Sequence, residues 1–257
     1  ITKEMLPLFD KREGLSFKPL IQIVFERLYD AGIREFCIIT GRGKRAIEDY
    51  FSRDDKYLEF LRSIGKLGLA EKLKSLYEIL DKTKLSWIYQ TTPAGLGAAV
   101  LLAEPFTKSE PFIVHAGDTY IASSNYLNRM LKFYEEATPE ILFLTARVCD
   151  PSSYGILEEY SLEDENIYRV YKVVEKPEKP KTNLAIVPVY IFTPNLFEIL
   201  KKVEAGVNGE IQLTDAIQMM VKSHRVYAME LDCNDYIDIG KPENYLDALE
   251  KSFRPIG

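Results

Sequence analysis

The early part of the chain alternates between helical and extended patterns, and this alternation constrains the fold most. Apolar residues at helical spacing predict a helix over residues 18–32, which ends at Gly32. Residues 36–40 predict a buried strand, and residues 46–51 predict a second helix after a glycine-containing turn. Helix, strand and helix in succession indicate an α/β architecture with parallel strands.

The same reading extends to the rest of the chain. Further strands are predicted over residues 85–90, 111–116, 141–148, 184–192 and 226–231, and further helices over residues 98–103, 127–136, 194–203, 213–221 and 243–253. Residues 153–174 alternate like an antiparallel pair, with a turn at 163–166. Residues 54–82 are charged and helical, and Gly65 and Gly68 predict a break between two helices of a surface insertion. We find no internal repeat or low-complexity linker, so we expect one domain over residues 1–257.

Composition narrows the class of protein. The chain is 46% hydrophobic and 28% charged, which is ordinary for a globular domain. Its net charge of −6 argues against nucleic acid as a partner, because phosphate backbones attract basic surfaces. No apolar run reaches the roughly 18 residues of a membrane span, and the first residues lack the pattern of a secretion signal.

The three cysteines bear on the redox environment. Cys37, Cys149 and Cys233 are odd in number and far apart in sequence. This pattern does not suggest a disulfide framework, so we expect a reducing, cytoplasmic setting.

Two aspartates lie where an α/β fold binds ligands. Asp118 follows the strand predicted at 111–116, and Asp238 follows a short extended run. Ligands of open α/β sheets bind at the carboxyl ends of strands, and Mg²⁺ prefers carboxylate oxygens together with water and substrate phosphates. The pair is therefore a candidate metal site, although spacing alone favours ordinary strand-end or capping aspartates.

A glycine-rich loop at residues 91–97 precedes a predicted helix. Gly95 and Gly97 would let the backbone approach a flat or anionic ligand, but most such loops are structural turns. The run Gly41-Arg42-Gly43 lacks the spacing of a dinucleotide-binding loop. His115 lies in an apolar strand and is interpreted as a core residue with satisfied hydrogen bonds.

The run Val174-Glu175-Lys176-Pro177 places a carboxylate beside an ammonium group in an extended segment. One side chain can bind sugar hydroxyls and the other a phosphate, which is what a sugar-phosphate site requires. The alternative is a solvated surface pair, since the next residues are also charged. We find no serine–histidine–aspartate, cysteine–histidine or zinc-ligand pattern, so covalent catalysis is not indicated.

Seven runs in one order resemble a known family, the bacterial and archaeal sugar-1-phosphate nucleotidylyltransferases. The runs are Lys3-Glu4-Met5-Leu6-Pro7, Lys18-Pro19-Leu20-Ile21-Gln22, residues 40–49, Gly95-Leu96-Gly97, Val174-Glu175-Lys176-Pro177, residues 209–215, and Asp238-Ile239-Gly240-Lys241-Pro242. They span nearly the whole chain, and the helical insertion at about 54–82 is similar to that of the uridylyltransferase branch.

The resemblance implies a fold and a reaction. The expected fold is a Rossmann-like, three-layer α/β/α nucleotidyltransferase fold with a mostly parallel, mixed central sheet. The expected reaction joins UTP and glucose 1-phosphate, with Mg²⁺ as cofactor, to give UDP-glucose and pyrophosphate. Proteins of this kind are usually homo-oligomers.

The resemblance also implies roles for individual residues. The matched positions are Lys3, which closes the family's N-terminal phosphate signature; Gln90 and Gly95, which meet the base; Asp118 and Asp238, which hold the metal; Gly155 and Glu210, which line the sugar; Glu175, which binds sugar hydroxyls; and Lys176, which binds the sugar phosphate. Among these, Lys3, Asp118 and Lys176 are the expected catalytic residues.

The sequence departs from the family at its start, at two single positions, and at residues 11–17, where the segment before Lys18 is longer than usual. The family's first strand and its glycine-rich G-x-G-T-R-x-x-P loop are not in the sequence, which starts at Ile1; we expect the sequence to be incomplete, since lacking that strand leaves a gap in the sheet. Thr119 replaces a usual acidic residue, and Pro188 replaces a usual glycine on the strand lining the sugar. Two alternatives stay open: a preference for dTTP or another sugar 1-phosphate, and a catalytically silent subunit that binds nucleotide sugars.

Overall fold

A computed structural model describes residues 2–12, 14–206, 209–233, 235–240 and 242–254. A central sheet contains β5 (Phe112–His115), β7 (Ile141–Arg147), β8 (Gly155–Asp164), β9 (Ile167–Glu175), β10 (Leu184–Phe192) and β11 (Val226–Glu230). Shorter two-stranded sheets are formed by β1 (Pro7–Asp10) with β2 (Ser16–Pro19), β3 (Glu35–Gly41) with β4 (Lys84–Gln90), and β6 (Thr119–Ile121) with β12 (Tyr236–Asp238).

The α/β class and the mixed central sheet are confirmed, but neighbouring strands are mostly antiparallel rather than mostly parallel. The strand order is β5-β10-β7-β11-β9-β8, and only the β7–β11 pair among these neighbours is parallel. The reason is that β10 returns between β5 and β7, while β8 and β9 form a hairpin. Both connections reverse the chain direction, whereas β3 and β4 keep the expected parallel arrangement.

Helices cover both faces of the central sheet, which confirms the three layers. The helices are α1 (Leu20–Asp30), α2 (Arg45–Tyr50), α3 (Asp55–Ser63), α4 (Leu67–Leu80), α5 (Leu96–Leu102), α6 (Glu104–Thr107), α7 (Tyr126–Ala137), α8 (Asn195–Leu200), α9 (Leu213–Met220) and α10 (Pro242–Phe253). On β10, Ile186 and Phe192 pack with α5, α8 and α9, whereas Val187 and Ile191 pack with α7. Alternate residues of a strand point to opposite faces, so one strand contributes to both cores.

The helical insertion forms where the charged segment predicted it. Leu58 and Leu61 of α3 pack against Ala70 and Tyr77 of α4 in a small core of their own. Between the helices Gly65 has a φ of +75°, a left-handed conformation that glycine adopts without strain. The predicted break near Gly65 is therefore confirmed.

The β1–β2 hairpin was not predicted from the sequence. Ion pairs hold it to α1, since Lys18 Nζ lies 2.8 Å from Asp10 Oδ2 and 2.9 Å from Glu26 Oε2. Arg12 also pairs with Glu26 and with Asp30. These contacts join residues from different elements, so no local sequence pattern predicts them.

A cavity of about 930 Å³ separates the β3–β4 sheet from the central sheet. Consecutive residues of β3 and of β5 line it, so it is bordered by strand edges rather than by one face of a sheet. Within the described residues these two strands are not paired with each other. The carboxyl ends of both strands therefore open onto one space. No helix among the described residues has the length and apolar character needed to cross a membrane.

Candidate active site

The two candidate metal ligands lie side by side. Asp118 directly precedes β6, and Asp238 ends β12. The antiparallel register of these strands places Asp238 opposite Thr119, the neighbour of Asp118. Lys3 joins them, because a Cβ atom added to Gly240 would lie 3.1 Å from Lys3 Nζ and 2.9 Å from Asp238 Oδ1.

The charges at this place favour a cation. Burial raises the pKa of Asp118, the nearby charge of Glu4 raises it further, and Lys3 and Lys44 act in the opposite direction. Among the described residues neither Asp118 nor Asp238 has an ion-pair partner within 4.0 Å, nor do three metal-ligating side chains cluster. Two carboxylates completed by waters and phosphates are typical of Mg²⁺ sites, so these residues fit that ion.

An acidic and a basic residue beside Asp118 were missed by the sequence analysis. Glu4 is largely buried, and its Oε1 lies 2.5 Å from Lys44 Nζ at the turn after β3. Both residues line the larger cavity together with Gln90 and Asp118. The runs that contain Glu4 and Lys44 were noted, but nothing in their spacing showed that side chains 40 residues apart form a pair.

The candidate base loop is packed closely against a distant segment. Gln90 ends β4, and Gly95 has a φ of +90°. A Cβ atom on Gly95 would lie 2.6 Å from the carbonyl oxygen of Ile211 and 3.0 Å from Cβ of Glu210. The N–H of Gly97 donates to the same carbonyl at 2.9 Å. Glycine is thus required here both by conformation and by space.

The carboxylate of Glu175 is held in a defined orientation at the end of β9. Its Oε2 accepts a hydrogen bond from the Thr214 hydroxyl at 2.6 Å. Gly155 pairs with Glu175 across the β8–β9 hairpin, and a Cβ atom there would lie 3.0 Å from Oε2 and 2.6 Å from Thr214 Oγ1. Glu175 is only 17% exposed, which differs from a solvated surface pair. Thr214 was not identified from the sequence.

Lys176 has an unusual backbone conformation. Its φ is +41°, in the left-handed region that residues with a Cβ atom rarely adopt. Its side chain is half exposed, and Nζ lies 3.6 Å from Glu175 Oε1. Such strain persists only where surrounding structure enforces it, and it is concentrated at functional sites.

The sequence-predicted residues fall into two adjoining groups. Glu175, Lys176 and Glu210 line a second cavity of about 450 Å³. Glu210 also lines the larger cavity, so it lies between the two, and it accepts a hydrogen bond from Gln212 Nε2 at 2.6 Å. The first group is Lys3, Gln90, Gly95, Asp118 and Asp238; the second is Gly155, Glu175, Lys176 and Glu210.

Comparisons with known proteins identify similar chains. A family model described as "Nucleotidyl transferase" matches residues 3–253. The UTP–glucose-1-phosphate uridylyltransferase of Bacillus subtilis (strain 168) is 37% identical over 248 residues, covering 95% of this chain and 81% of that protein. UTP–glucose-1-phosphate uridylyltransferase 2 of Streptococcus pyogenes serotype M1 is 36% identical, covering 93% and 79%.

Solved structures agree with the sequence relatives. A UDP-glucose pyrophosphorylase complexed with UDP-glucose is 33% identical, with a TM-score of 0.81 over 97% of this chain and 89% of that one. The apo form of a UDP-glucose pyrophosphorylase, also 33% identical, gives a TM-score of 0.84 with the same coverage. Likeness at this level extends over almost the whole of both chains.

Proposed function

Because the chain belongs to the nucleotidyl transferase family, we propose that it converts UTP and glucose 1-phosphate into UDP-glucose and pyrophosphate. The observation that carries this proposal is that Glu210 joins the two groups of site residues. It lies against Gly95 of the glycine loop, whose group includes Asp118, and it lines the smaller cavity with Glu175 and Lys176. Two substrates of the expected kinds can thus bind next to each other.

The reaction needs positioning and charge neutralisation. A phosphate oxygen of glucose 1-phosphate attacks the α-phosphorus of UTP in line and forms a new P–O bond. The bond from the α-phosphorus to the oxygen bridging to the β-phosphorus breaks, and pyrophosphate leaves with the electron pair. The attacking phosphate is already ionised at pH 7, so no side chain has to act as a general base.

Two lysines support this step from opposite sides. Lys176 holds the sugar phosphate, and Lys3, beside Asp238, offsets negative charge on the nucleotide phosphates. Both reduce the repulsion between two anionic reactants. Positioned cations of this kind act mainly on the transition state, where charge moves to the leaving group.

We propose that Asp118 and Asp238 hold Mg²⁺. When bound, the ion supplies neutralisation of the triphosphate charge. The support is their adjacency across β6 and β12, together with the raised pKa of Asp118, which burial and the charge of Glu4 cause. A cation between the carboxylates would relieve that unfavourable charge.

We assign recognition of the sugar and of the base to residues of the same two groups. Glu175 accepts hydrogen bonds from sugar hydroxyls, and Thr214 fixes its orientation. The absence of a side chain at Gly155 leaves room for this pair. Gln90 offers an amide to the base edge, and Gly95 allows the loop to approach the ring.

Pro188 is the residue that favours a different sugar specificity. It lies in β10 at an irregularity between Val187 and Tyr190, and its carbonyl accepts from Ala116 N–H at 2.9 Å. The specificity can be tested by measuring pyrophosphate release for UTP and dTTP, each with glucose or galactose 1-phosphate. The proposal expects UTP with glucose 1-phosphate to be at least about tenfold preferred in kcat/KM. A preference for another combination of nucleotide and sugar 1-phosphate would contradict the proposal.

We further propose that the chain acts as one domain, in a cytoplasmic setting, as a homo-oligomer. The support for the setting is that Cys37, Cys149 and Cys233 are all free thiols. Size-exclusion chromatography with light scattering tests the oligomer, and a monomeric mass would contradict it.

A further inference from the structure

One tyrosine contacts both halves of the site. Tyr154 lies between a short 3-10 turn and the start of β8. Its hydroxyl donates to Asp238 Oδ2 at 3.1 Å. Its backbone carbonyl accepts from the N–H of Lys176 at 3.0 Å. The proposed metal carboxylate and the proposed phosphate-binding lysine are therefore connected through a single residue.

The hydrogen bonds to Asp238 fix its direction without using its charge. Oδ2 receives the Tyr154 hydroxyl, and Oδ1 receives the backbone N–H of Gly240 at 2.9 Å. Neither donor is a cation, so the negative charge stays available for a metal. Groups that orient a metal ligand in this way affect metal affinity strongly, although they do not touch the ion.

Tyr154 is itself held in place. Its ring meets Tyr236 edge-on, with centroids 6.4 Å apart and planes at 77°. The preceding turn is fixed by Asp150, whose Oδ1 accepts from the Ser152 hydroxyl at 2.6 Å. A phenolic hydroxyl is protonated at neutral pH, so it can act as the donor in this hydrogen bond. The side chain of Tyr154 is therefore fixed, so it can hold Asp238 in one orientation.

The other contact restrains a strained residue. The Tyr154 carbonyl binds the N–H of Lys176, the residue with the left-handed φ. Gly155 and Glu175 begin the β8–β9 pairing next to this bond. The position of the ammonium group therefore depends on the backbone at Tyr154, whereas Asp238 depends on its hydroxyl.

We infer that Tyr154 is a positioning residue. Its hydroxyl orients Asp238 toward the metal, and its backbone carbonyl fixes the position of Lys176. This inference rests on the proposed function and adds a residue to it. Mutation can separate the effect on Asp238 from the effect on Lys176, because replacing the side chain of Tyr154 removes the hydroxyl but keeps the backbone carbonyl.

Tyr154→Phe tests the inference in the full chain. The measurement is binding of Mn²⁺, as a spectroscopic substitute for Mg²⁺, by electron paramagnetic resonance with UDP-glucose present. We expect the Kd for Mn²⁺ to rise on the order of tenfold. In steady-state assays kcat should fall with it, while the KM for glucose 1-phosphate should stay within about twofold, since the carbonyl that holds Lys176 is retained.

Tyr171→Phe is the matched control. Its hydroxyl makes one hydrogen bond, to Ser161 Oγ at 3.0 Å, on the exposed part of the β8–β9 hairpin. It should leave Mn²⁺ binding unchanged. Tyr154→His, which keeps an aromatic ring with an N–H donor, is the second variant and should bind Mn²⁺ more tightly than Tyr154→Phe.

Unchanged Mn²⁺ affinity in folded Tyr154→Phe would overturn the inference, and so would an equal loss in Tyr171→Phe. If Tyr154→Phe does not fold, Tyr154→His with wild-type stability but no better Mn²⁺ binding than Asp238→Asn would overturn it. Mn²⁺ binding needs no turnover. A wild-type chain that binds Mn²⁺ but releases no pyrophosphate would therefore remove the proposed function while this measurement still decides the role of Tyr154.

Discussion

At the scale of single residues, the site combines charged groups that distant neighbours orient. Glu175 was predicted from its run with Lys176, but its orientation depends on Thr214, 39 residues away. Likewise the pairing of Glu4 with Lys44 depends on the fold. The types and the order of the site residues could be predicted from the sequence, because they match the motifs of a known family. The partners that fix each side chain could not, because tertiary packing sets those contacts.

Glu175→Gln should weaken sugar recognition specifically. The amide keeps the shape and can still accept from Thr214, but it loses the charge that strengthens hydrogen bonds to sugar hydroxyls. Losing a charged hydrogen bond is worth about 1.5–3 kcal/mol, so kcat/KM for glucose 1-phosphate should fall about 10- to 100-fold. Initial rates at saturating UTP measure this. Glu163→Gln, near the end of β8, is the control, and an equal fall in both variants would contradict the assigned role.

Lys176 allows function and strain to be separated. Lys176→Met and Lys176→Gly both remove the ammonium group, so both should lose most turnover and raise the KM for glucose 1-phosphate. Glycine accepts a φ of +41° without a steric penalty. Lys176→Gly should therefore be more stable than Lys176→Met by about 1 kcal/mol in urea unfolding. Equal stabilities would show that the left-handed backbone is not strained.

At the scale of helices and strands, periodicity predicted most elements and missed two pairs of short strands. The helices of the insertion and the strands β3, β4, β7 and β10 lie where apolar spacing placed them. The pairs β1–β2 and β6–β12 were missed, since strands of three or four residues carry little periodic signal. The β6–β12 pair is nonetheless what brings Asp118 and Asp238 together.

The base loop provides a test at this scale. Gly95→Ala adds a Cβ atom 2.6 Å from the Ile211 carbonyl and must displace the loop from the segment that carries Glu210. Gly65→Ala is matched in backbone strain, with a φ of +75°, but its Cβ would meet nothing within 4 Å. We expect Gly95→Ala to raise the KM for UTP at least about tenfold and Gly65→Ala to leave it unchanged. Similar KM values for both variants would mean that the loop does not contact the nucleotide.

At the scale of the whole molecule, chain topology builds the site from two halves. The larger cavity lies between the two sheets, and the smaller one lies beside the β8–β9 hairpin. The α/β class followed from alternation of helical and extended patterns. The antiparallel majority in the sheet did not, because the direction of β10 depends on long-range pairing rather than on local sequence.

Folding stability should depend on His115, which was interpreted from the sequence as a core residue and which is partly buried at the border of the larger cavity. Its Nε2 lies 2.7 Å from the Tyr126 hydroxyl, and its Nδ1 lies 2.8 Å from the Ala116 carbonyl. Burial lowers the pKa of His115 to about 4 from an ordinary value of 6.5. Between these values the unfolded chain binds a proton that the native chain does not. Stability is therefore complete above pH 6.5 and falls as the pH drops toward 4.

Urea unfolding at pH 7 and pH 5 measures this effect. The histidine should contribute a loss of about 2 kcal/mol between the two pH values. His115→Gln cannot take up a proton, and its amide can replace both hydrogen bonds. We expect the variant to lose about 2 kcal/mol less than the wild type over that interval. Equal losses would contradict the assigned burial and protonation state.

The central claim is that the two halves of the site transfer a uridylyl group, and pyrophosphate release tests it most directly. The measurement uses the chain with UTP, glucose 1-phosphate and Mg²⁺, beside Asp118→Ala and Lys176→Ala. We expect steady release by the wild type that depends on both substrates and falls by at least about a hundredfold in each variant. No release by a folded wild type that still binds UDP-glucose would contradict the claim and favour a silent nucleotide-sugar-binding chain.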